Sequence, residues 1–395
     1  MPQPLLKKEQ IFSTMKVFRG LQAAALRDLV AGCALTIGNF DGVHRGHQAM
    51  IALLRGEARH RGLKTCALTF EPHPKDFFAR QLGKPELAPA RISTLRDKLQ
   101  ELENCGLDST IVLPFNTKLA SMPPQAFVEE ILVAGLNTKY LLVGDDFRFG
   151  AKRAGDFSFL HQSGMALGFD VARMNSYEIA WSHAGGRTGI GLSTLPAGPF
   201  AVGHATGPFQ GLRVSSSAVR EALAAGRLAD AATLLGRPYS VSGHVVHGAK
   251  LGRELGKSAA REHGFATLNL RFSGHHQRWQ PAASGIFAVL VHGLDSQPLA
   301  GVANFGTRPA IDPNDVNGGR VLLETHILDW PAHLPRYHGY GRVIRVEFLV
   351  KLHDELKYDS LAALTAGIEA DCQTARAFFA RQKSKTHILP ANTLF

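Results

Sequence analysis

The chain has 395 residues, 45% of them hydrophobic and 19% charged, enough for two or three domains, each with its own core. Lys and Arg number 44 against 33 Asp and Glu, a net charge of +11. They are dispersed, with no run of five and no accompanying RNA-binding aromatic pattern, so anionic small substrates are expected rather than nucleic acid. No apolar run reaches about 18 residues, so no membrane span is expected. Lys7, Lys8 and Glu9 break the place where a secretory signal would need its apolar core. Cys33, Cys66, Cys105 and Cys372 show no CxxC or CxxH spacing, which points to reduced thiols in a cytoplasm.

Residues 1–30 read as a loose start with a short helix over 22–30. Strand 35–37, helix 46–59 and strand 65–70 then make a βαβ unit, which implies a parallel sheet. Between the first strand and the helix lie Gly38-Asn39-Phe40-Asp41-Gly42 and His44-Arg45-Gly46-His47. A strand, a glycine turn and a helix start form an anion site, because backbone N–H groups and the helix dipole favour negative charge. His44 and His47, three apart, share a helix face near that positive end and suit a phosphate chain. The second strand runs into Glu71-Pro72-His73-Pro74, whose prolines place Glu71 and His73 at the carboxyl edge of the sheet.

Helix 94–105, strand 109–114, helix 124–133 and strand 140–143 follow. The last opens into Gly144-Asp145-Asp146-Phe147-Arg148-Phe149-Gly150, a loop fit to stack a planar ring. Residues 185–211 hold eight glycines and three prolines, with Arg187 the sole Lys, Arg, Asp or Glu, and read as a long loop or insertion. Val214-Ser215-Ser216-Ser217-Ala218-Val219-Arg220 leads into helix 218–225, and its serines suit both capping and phosphates. Helices then run to Gly236-Arg237-Pro238, a domain boundary. Beyond it, strands 239–246, 286–292, 299–305, 321–328 and 342–352 precede a helix over 360–379, a pattern for a closed antiparallel barrel with a helix against it. Gly252 to Ser258 has three residues between its glycines where a P-loop needs four, which rejects that motif.

The run Gly-Asn-Phe-Asp-Gly-Val-His-Arg-Gly-His resembles the signature of the HxGH nucleotidyltransferases, in the form found in bacterial bifunctional riboflavin kinase/FAD synthetases. That resemblance covers roughly residues 16–380 and implies an α/β chain. Its N-terminal part would be a Rossmann-like HxGH nucleotidyltransferase domain, 16–236, with the insertion at 185–211. Its C-terminal part would be an antiparallel β-barrel riboflavin kinase domain, 237–382, closed by a C-terminal helix. It implies that His44, His47 and Arg220 hold the reacting phosphates, and that Gly38, Asn39, Phe40, Asp41, Gly46, Ser215, Ser216 and Ser217 bind ATP. It places His73, Asp146, Phe147, Arg148, Phe149 and Arg308 on the flavin or adenine side.

In the barrel it implies that Gly248, Lys250 and Gly252 cradle ATP and that Thr267 and Asn269 bind Mg²⁺. Glu324, in Leu323-Glu324-Thr325-His326, would be the general base. The family motif Gly-Phe-Pro-Thr-Ala-Asn is here Gly264-Phe265-Ala266-Thr267-Leu268-Asn269, without its proline and preceded by an extra segment, 257–263. The implied function is phosphorylation of riboflavin to FMN with MgATP, then adenylylation of FMN to FAD with release of pyrophosphate. An alternative is an FMN adenylyltransferase whose barrel only binds flavin or serves assembly. Riboflavin, FMN and ATP are the expected partners, with no nucleic acid and no membrane, and the pattern is compatible with an oligomer.

Overall fold

The structure is a computed structural model, and it describes residues 15–21, 29, 31–180, 211–247, 265–272, 280–307, 321–335 and 338–386. Nearly all of the expected helix over 22–30 and of the 185–211 insertion, and all of the 257–263 segment, Gly248, Lys250, Gly252 and Arg308, lie outside the described residues. The chain divides into two compact units, Met1–Ala88 with Leu99–Tyr177, and Pro89–Lys98 with Glu178–Phe395.

The first unit is built on a six-stranded parallel sheet. Its strands are β1 (Lys16–Arg19), β2 (Cys33–Ile37), β3 (Lys64–Glu71), β4 (Ser109–Pro114), β5 (Thr138–Gly144) and β6 (Asp170–Met174). They are ordered β1-β4-β3-β2-β5-β6. All five residues of β2 are buried, as a strand covered on both faces requires. On one face Cys33, Leu35, Ile37, Leu68 and Leu141 pack with the π-helical turn Phe127–Gly135 and with helix 157–167. On the other, Ala34, Ala67 and Leu142 pack with Ile51, Leu54 and Ala58, one apolar stripe of α1 (Arg45–Arg61). Helix α1 stops at Gly62, whose left-handed φ of 65° lets its N–H reach the Ala58 and Arg59 carbonyls. Helices α2 (Pro74–Gln81), α3 (Leu95–Asn104) and α4 (Phe157–Leu167) complete the set used below.

The chain builds outward from β2 through β3 to β4, then returns to place β5 and β6 on the other side. That reversal between β2 and β5 opens a crevice at the carboxyl ends of the strands, where open α/β sheets bind ligands.

The second unit is a closed antiparallel barrel of β9 (Ser240–Val246), β10 (Thr267–Arg271), β11 (Gly285–His292), β12 (Leu299–Thr307), β13 (Val321–Ile327) and β14 (Val343–His353), ordered β10-β13-β12-β11-β14-β9. It also contains the short pair β7 (Glu178–Ala180) and β8 (Gly211–Arg213) and the helices α5 (Ser216–Ala224) and α6 (Leu228–Leu235). Phe348 is the barrel's central ring, 5.1 Å from Phe287, 5.2 Å from Tyr239 and 5.3 Å from Phe305. Outside, α7 (Leu361–Thr386) lays Cys372 and Ala375 against Ala288, Val302, Leu328 and Phe265. Residues 89–98 belong here because the half-buried Asp97 carboxylate accepts from the Ser242 backbone N–H at 3.2 Å, and Arg91 exchanges backbone bonds with Gln280 and Ala282. Burial pushes the Asp97 carboxyl up, and the bonds from Thr94 and Ser242 offset part of that.

Candidate active sites

In the first unit the turn after β2 is tightly fixed. The Gly38 N–H donates to the Leu68 carbonyl at 3.0 Å, and Thr69 Oγ1 donates to the Asn39 carbonyl at 3.3 Å. Phe40, Gly42 and Val43 all have left-handed φ, +49°, +82° and +40°. For Phe and Val such angles are strained, and they persist because both side chains are sealed in the core, 1% and 0% exposed. Asp41 is buried in the same turn. A Cβ on Gly38 would stand 3.1 Å from the Phe40 ring, a contact tight enough that the ring would have to shift.

His44 is the N-cap of α1: its Nδ1 accepts from the His47 backbone N–H at 3.4 Å. With Nδ1 accepting, the neutral ring carries its proton on Nε2. The His47 ring stacks on His44 at 3.7 Å with planes 16° apart, and Phe40 meets His47 edge-on at 5.1 Å. Two imidazoles are thus held as a stack over an aromatic floor at the positive end of a 17-residue helix.

The neighbouring strand ends add further groups. His73 caps α2, its Nδ1 accepting from the Lys75 N–H at 3.1 Å, and it is buried. Gly144, at the end of β5, lies beside the second turn of α1, since a Cβ there would meet Met50 Cε at 3.7 Å. In the loop beyond, Asp145 accepts from Ser176 Oγ at 2.7 Å, while Asp146 is exposed and Phe147 half-buried. Arg148 pairs with Asp156 at 2.9 Å. Asp156 caps α4, and the Phe159 backbone N–H, helped by Arg148, holds its carboxyl below the usual range.

The Phe149 ring is 7% exposed and enclosed by Phe127, Phe147 and Phe159, so it forms the floor of the loop. One aromatic feature at this edge escaped the sequence reading. Phe70, Phe77, Phe78 and Phe115 form a four-ring cluster with centroid separations of 5.4–5.8 Å, and Phe78 is 45% exposed. Its members sit on β3, α2 and the residue after β4, with no spacing to announce them.

In the second unit Ser215 caps α5, its Oγ accepting from the Ala218 N–H at 3.2 Å. Ser216 and Ser217 occupy the first turn, and Arg220 is fastened through Nε to the Ala90 carbonyl at 2.6 Å. On the barrel, Leu268, Leu270, Leu323, Thr325 and Ile327 point inward, and Thr267, Asn269, Glu324 and His326 alternate with them on the outer face. Cross-strand register sets Thr267 opposite His326 and Asn269 opposite Glu324, with Asn304 opposite Glu324 on its other side. Asn269 Nδ2 donates to Thr267 Oγ1 at 3.3 Å, and His326 Nδ1 meets the Ala266 carbonyl at 2.9 Å. Among the described residues no group of three His, Cys, Asp or Glu could hold a metal. Thr267, Asn269 and Glu324 instead offer hard oxygens on one face, a donor set that fits Mg²⁺ carried with phosphates.

Comparison with known proteins matches both units. A family model described as FAD synthetase matches residues 27–183, and one described as riboflavin kinase matches residues 235–379. The bifunctional riboflavin kinase/FMN adenylyltransferase of Escherichia coli is 40% identical over 369 residues, covering 93% of this chain and 99% of that protein. Its counterparts from Haemophilus influenzae and Pseudomonas fluorescens are each 38% identical, covering 92% and 93% of this chain and 99% and 98% of theirs. A crystal structure of a macrolide-efflux protein from Streptococcus pneumoniae superposes with a TM-score of 0.60 at 22% identity, covering 92% of this chain and 99% of that one, which shows a shared fold. With both modules present and near full-length identity of 38–40%, the chain belongs to the bifunctional riboflavin kinase/FMN adenylyltransferase family.

Proposed function

We propose that the two activities of this family divide at Pro238, with FMN adenylylation assigned to residues 16–236 and riboflavin phosphorylation to 237–382. The enzyme phosphorylates riboflavin to FMN with ATP and converts FMN to FAD with release of pyrophosphate. The observation that carries the kinase assignment is the outer-face set of Glu324 between Asn269 and Asn304. Glu324 takes the proton from the ribityl 5′-hydroxyl as that oxygen attacks the γ-phosphorus and ADP leaves. Thr267 and Asn269 would hold Mg²⁺ with the ATP phosphates, and when bound it supplies charge neutralisation there. Gly248, Lys250 and Gly252 are assigned to ATP, and Arg308 to the flavin, by resemblance.

In adenylylation an FMN phosphate oxygen attacks the α-phosphorus of ATP and pyrophosphate departs, with no protein nucleophile. His44, donating from Nε2, and His47 stabilise the charge that develops on the phosphates. Gly38, Asn39, Phe40, Asp41 and Gly46 shape the turn that receives ATP, and Ser215, Ser216, Ser217 and Arg220 are assigned to the same nucleotide. His73, Asp146, Phe147 and Arg148 are assigned to the flavin or adenine side. No described helix is long and apolar enough to cross a membrane. The four free cysteines suit the reducing cytoplasm.

The test is separation of function. His47→Ala should cut FAD formation by about 100-fold or more and spare FMN formation, and Glu324→Gln should do the reverse. Loss of both activities in either folded variant would break the assignment.

A further inference from the structure

We infer that His326 is a positioning residue that holds the Thr267–Asn269 pair in the geometry that Mg²⁺-nucleotide binding needs. The inference rests on the assignment of Thr267 and Asn269 to the metal. His326 lies directly across the sheet from Thr267, two residues beyond Glu324 on the same outer face. Its Nδ1 is 2.9 Å from the Ala266 carbonyl. A carbonyl oxygen only accepts, so Nδ1 carries the proton and donates, which fixes the ring's tautomer and orientation. Phe265, 1% exposed and packed with Cys372 and Ala375 of α7, meets the imidazole edge-on at 5.6 Å.

The staple falls where this chain has lost a restraint. Position 266 is Ala where the resembling motif has Pro, so φ just before Thr267 is not locked by a ring. Strand β10 is five residues long, and Thr267 is its first. A side-chain bond from β13 to the Ala266 carbonyl pins the chain immediately before the strand. Thr267 Oγ1 and the Asn269 amide, already 3.3 Å apart, then keep their common face. The role acts through β10 and needs no contact between His326 and substrate.

The two amides that resemble His test this directly: Asn can place a donor near Nδ1, and Gln places one nearer Nε2. Hydrogen exchange of a peptide spanning 265–272 is measured in the full chain with ADP over a Mg²⁺ titration, with ADP plus EDTA as control. FMN-to-FAD conversion serves as the check that the variants are folded. Wild type should gain protection with Mg²⁺. His326→Gln should need roughly tenfold more Mg²⁺ for half-protection and for half-maximal riboflavin phosphorylation, with a smaller change in kcat at saturating Mg²⁺. His326→Asn should return close to wild type. If Thr267→Ala shifts the Mg²⁺ requirement and His326→Gln does not, the role of His326 is refuted and the metal pair stands. If Thr267→Ala shifts nothing, the metal pair itself is wrong and the inference goes with it. A shift in which Asn behaves like Gln would refute the Nδ1 bond as the cause.

Discussion

Replacing His44 separates the capping bond seen in the structure from the phosphate role proposed for the same ring. Its Nδ1 caps α1 by accepting from the His47 N–H, and its Nε2 is assigned to phosphate. Asn at position 44 can still accept that N–H through Oδ1, since Asn is among the preferred N-caps, whereas Ala cannot. A lost cap costs about 0.5–2 kcal/mol, and the 3.4 Å separation here argues for the lower half of that range. Both variants forfeit the 3.7 Å stack on His47, so it cancels from their difference. His44→Ala should therefore melt about 1–5 °C below His44→Asn, at roughly 2–4 °C per kcal/mol for a unit of this size. Catalysis should not follow that order. Both lose the Nε2 donor, worth roughly 100- to 1,000-fold when removed from a developing oxyanion, and both should form FAD at that reduced rate. Scanning calorimetry paired with initial rates of FMN-to-FAD conversion reads both effects, with riboflavin phosphorylation as the internal control. An Asn variant that keeps near wild-type FAD formation would show that the ring is only a cap. Equal melting of the two variants would show that the cap bond contributes nothing.

Three further outcomes follow from the same geometry. Gly38→Ala puts a Cβ about 3.1 Å from the sealed Phe40 ring, which meets His47 edge-on; FAD formation should fall about tenfold while FMN formation is unchanged, and an unaltered rate would refute the coupling. Phe149→Ala should destabilise by about 3–5 kcal/mol in a denaturant melt, as a closed core ring does, whereas Phe147→Ala should instead raise the KM for FMN; if Phe78→Ala raises that KM and Phe147→Ala does not, the flavin lies on the β3–β4 side. His353 places Nε2 2.7 Å from Asp371 Oδ1 and Nδ1 2.6 Å from the Asp354 carbonyl, two acceptors that together require the imidazolium. Burial opposes that charge, but the bonds and charges of Asp371 and Asp354 outweigh it and raise the His353 pKa. The stabilisation is therefore full below the unfolded value of about 6.5 and fades as pH rises through the raised native one. The stability gap between wild type and His353→Gln should be widest near pH 6 and shrink toward pH 9, and a gap independent of pH would refute the charged link.

Strands whose every residue is apolar or small were legible before any coordinates: the β2 core at 35–37 and all of β4 stand where the sequence pattern puts them. So were α1 and the barrel's alternating strands, because burial on one face writes a period into the residues. Strand β10 was not, since Thr-Leu-Asn-Leu-Arg offers only two inward residues and depends on β9 and β13 for its partners. Helix α2 hid behind Pro72 and Pro74, although Pro at the first helical position after a capping His73 is a start signal. Helix α4 carried both punctuation marks, Asp156 before it and Gly168 after it, and was overlooked. At the proposed sites, residue types and motif order nominate the groups. Which ring faces of Phe147 and Phe149 stay open, and that His44 spends Nδ1 on a cap, depend on packing between elements far apart in the chain.

The central claim is that one chain performs both steps, and it is tested most directly by giving the purified protein riboflavin and MgATP and resolving the flavins by chromatography over time. Riboflavin should decline, with FMN rising first and FAD following. Conversion of supplied FMN to FAD by the same preparation, with riboflavin never becoming FMN, would contradict it.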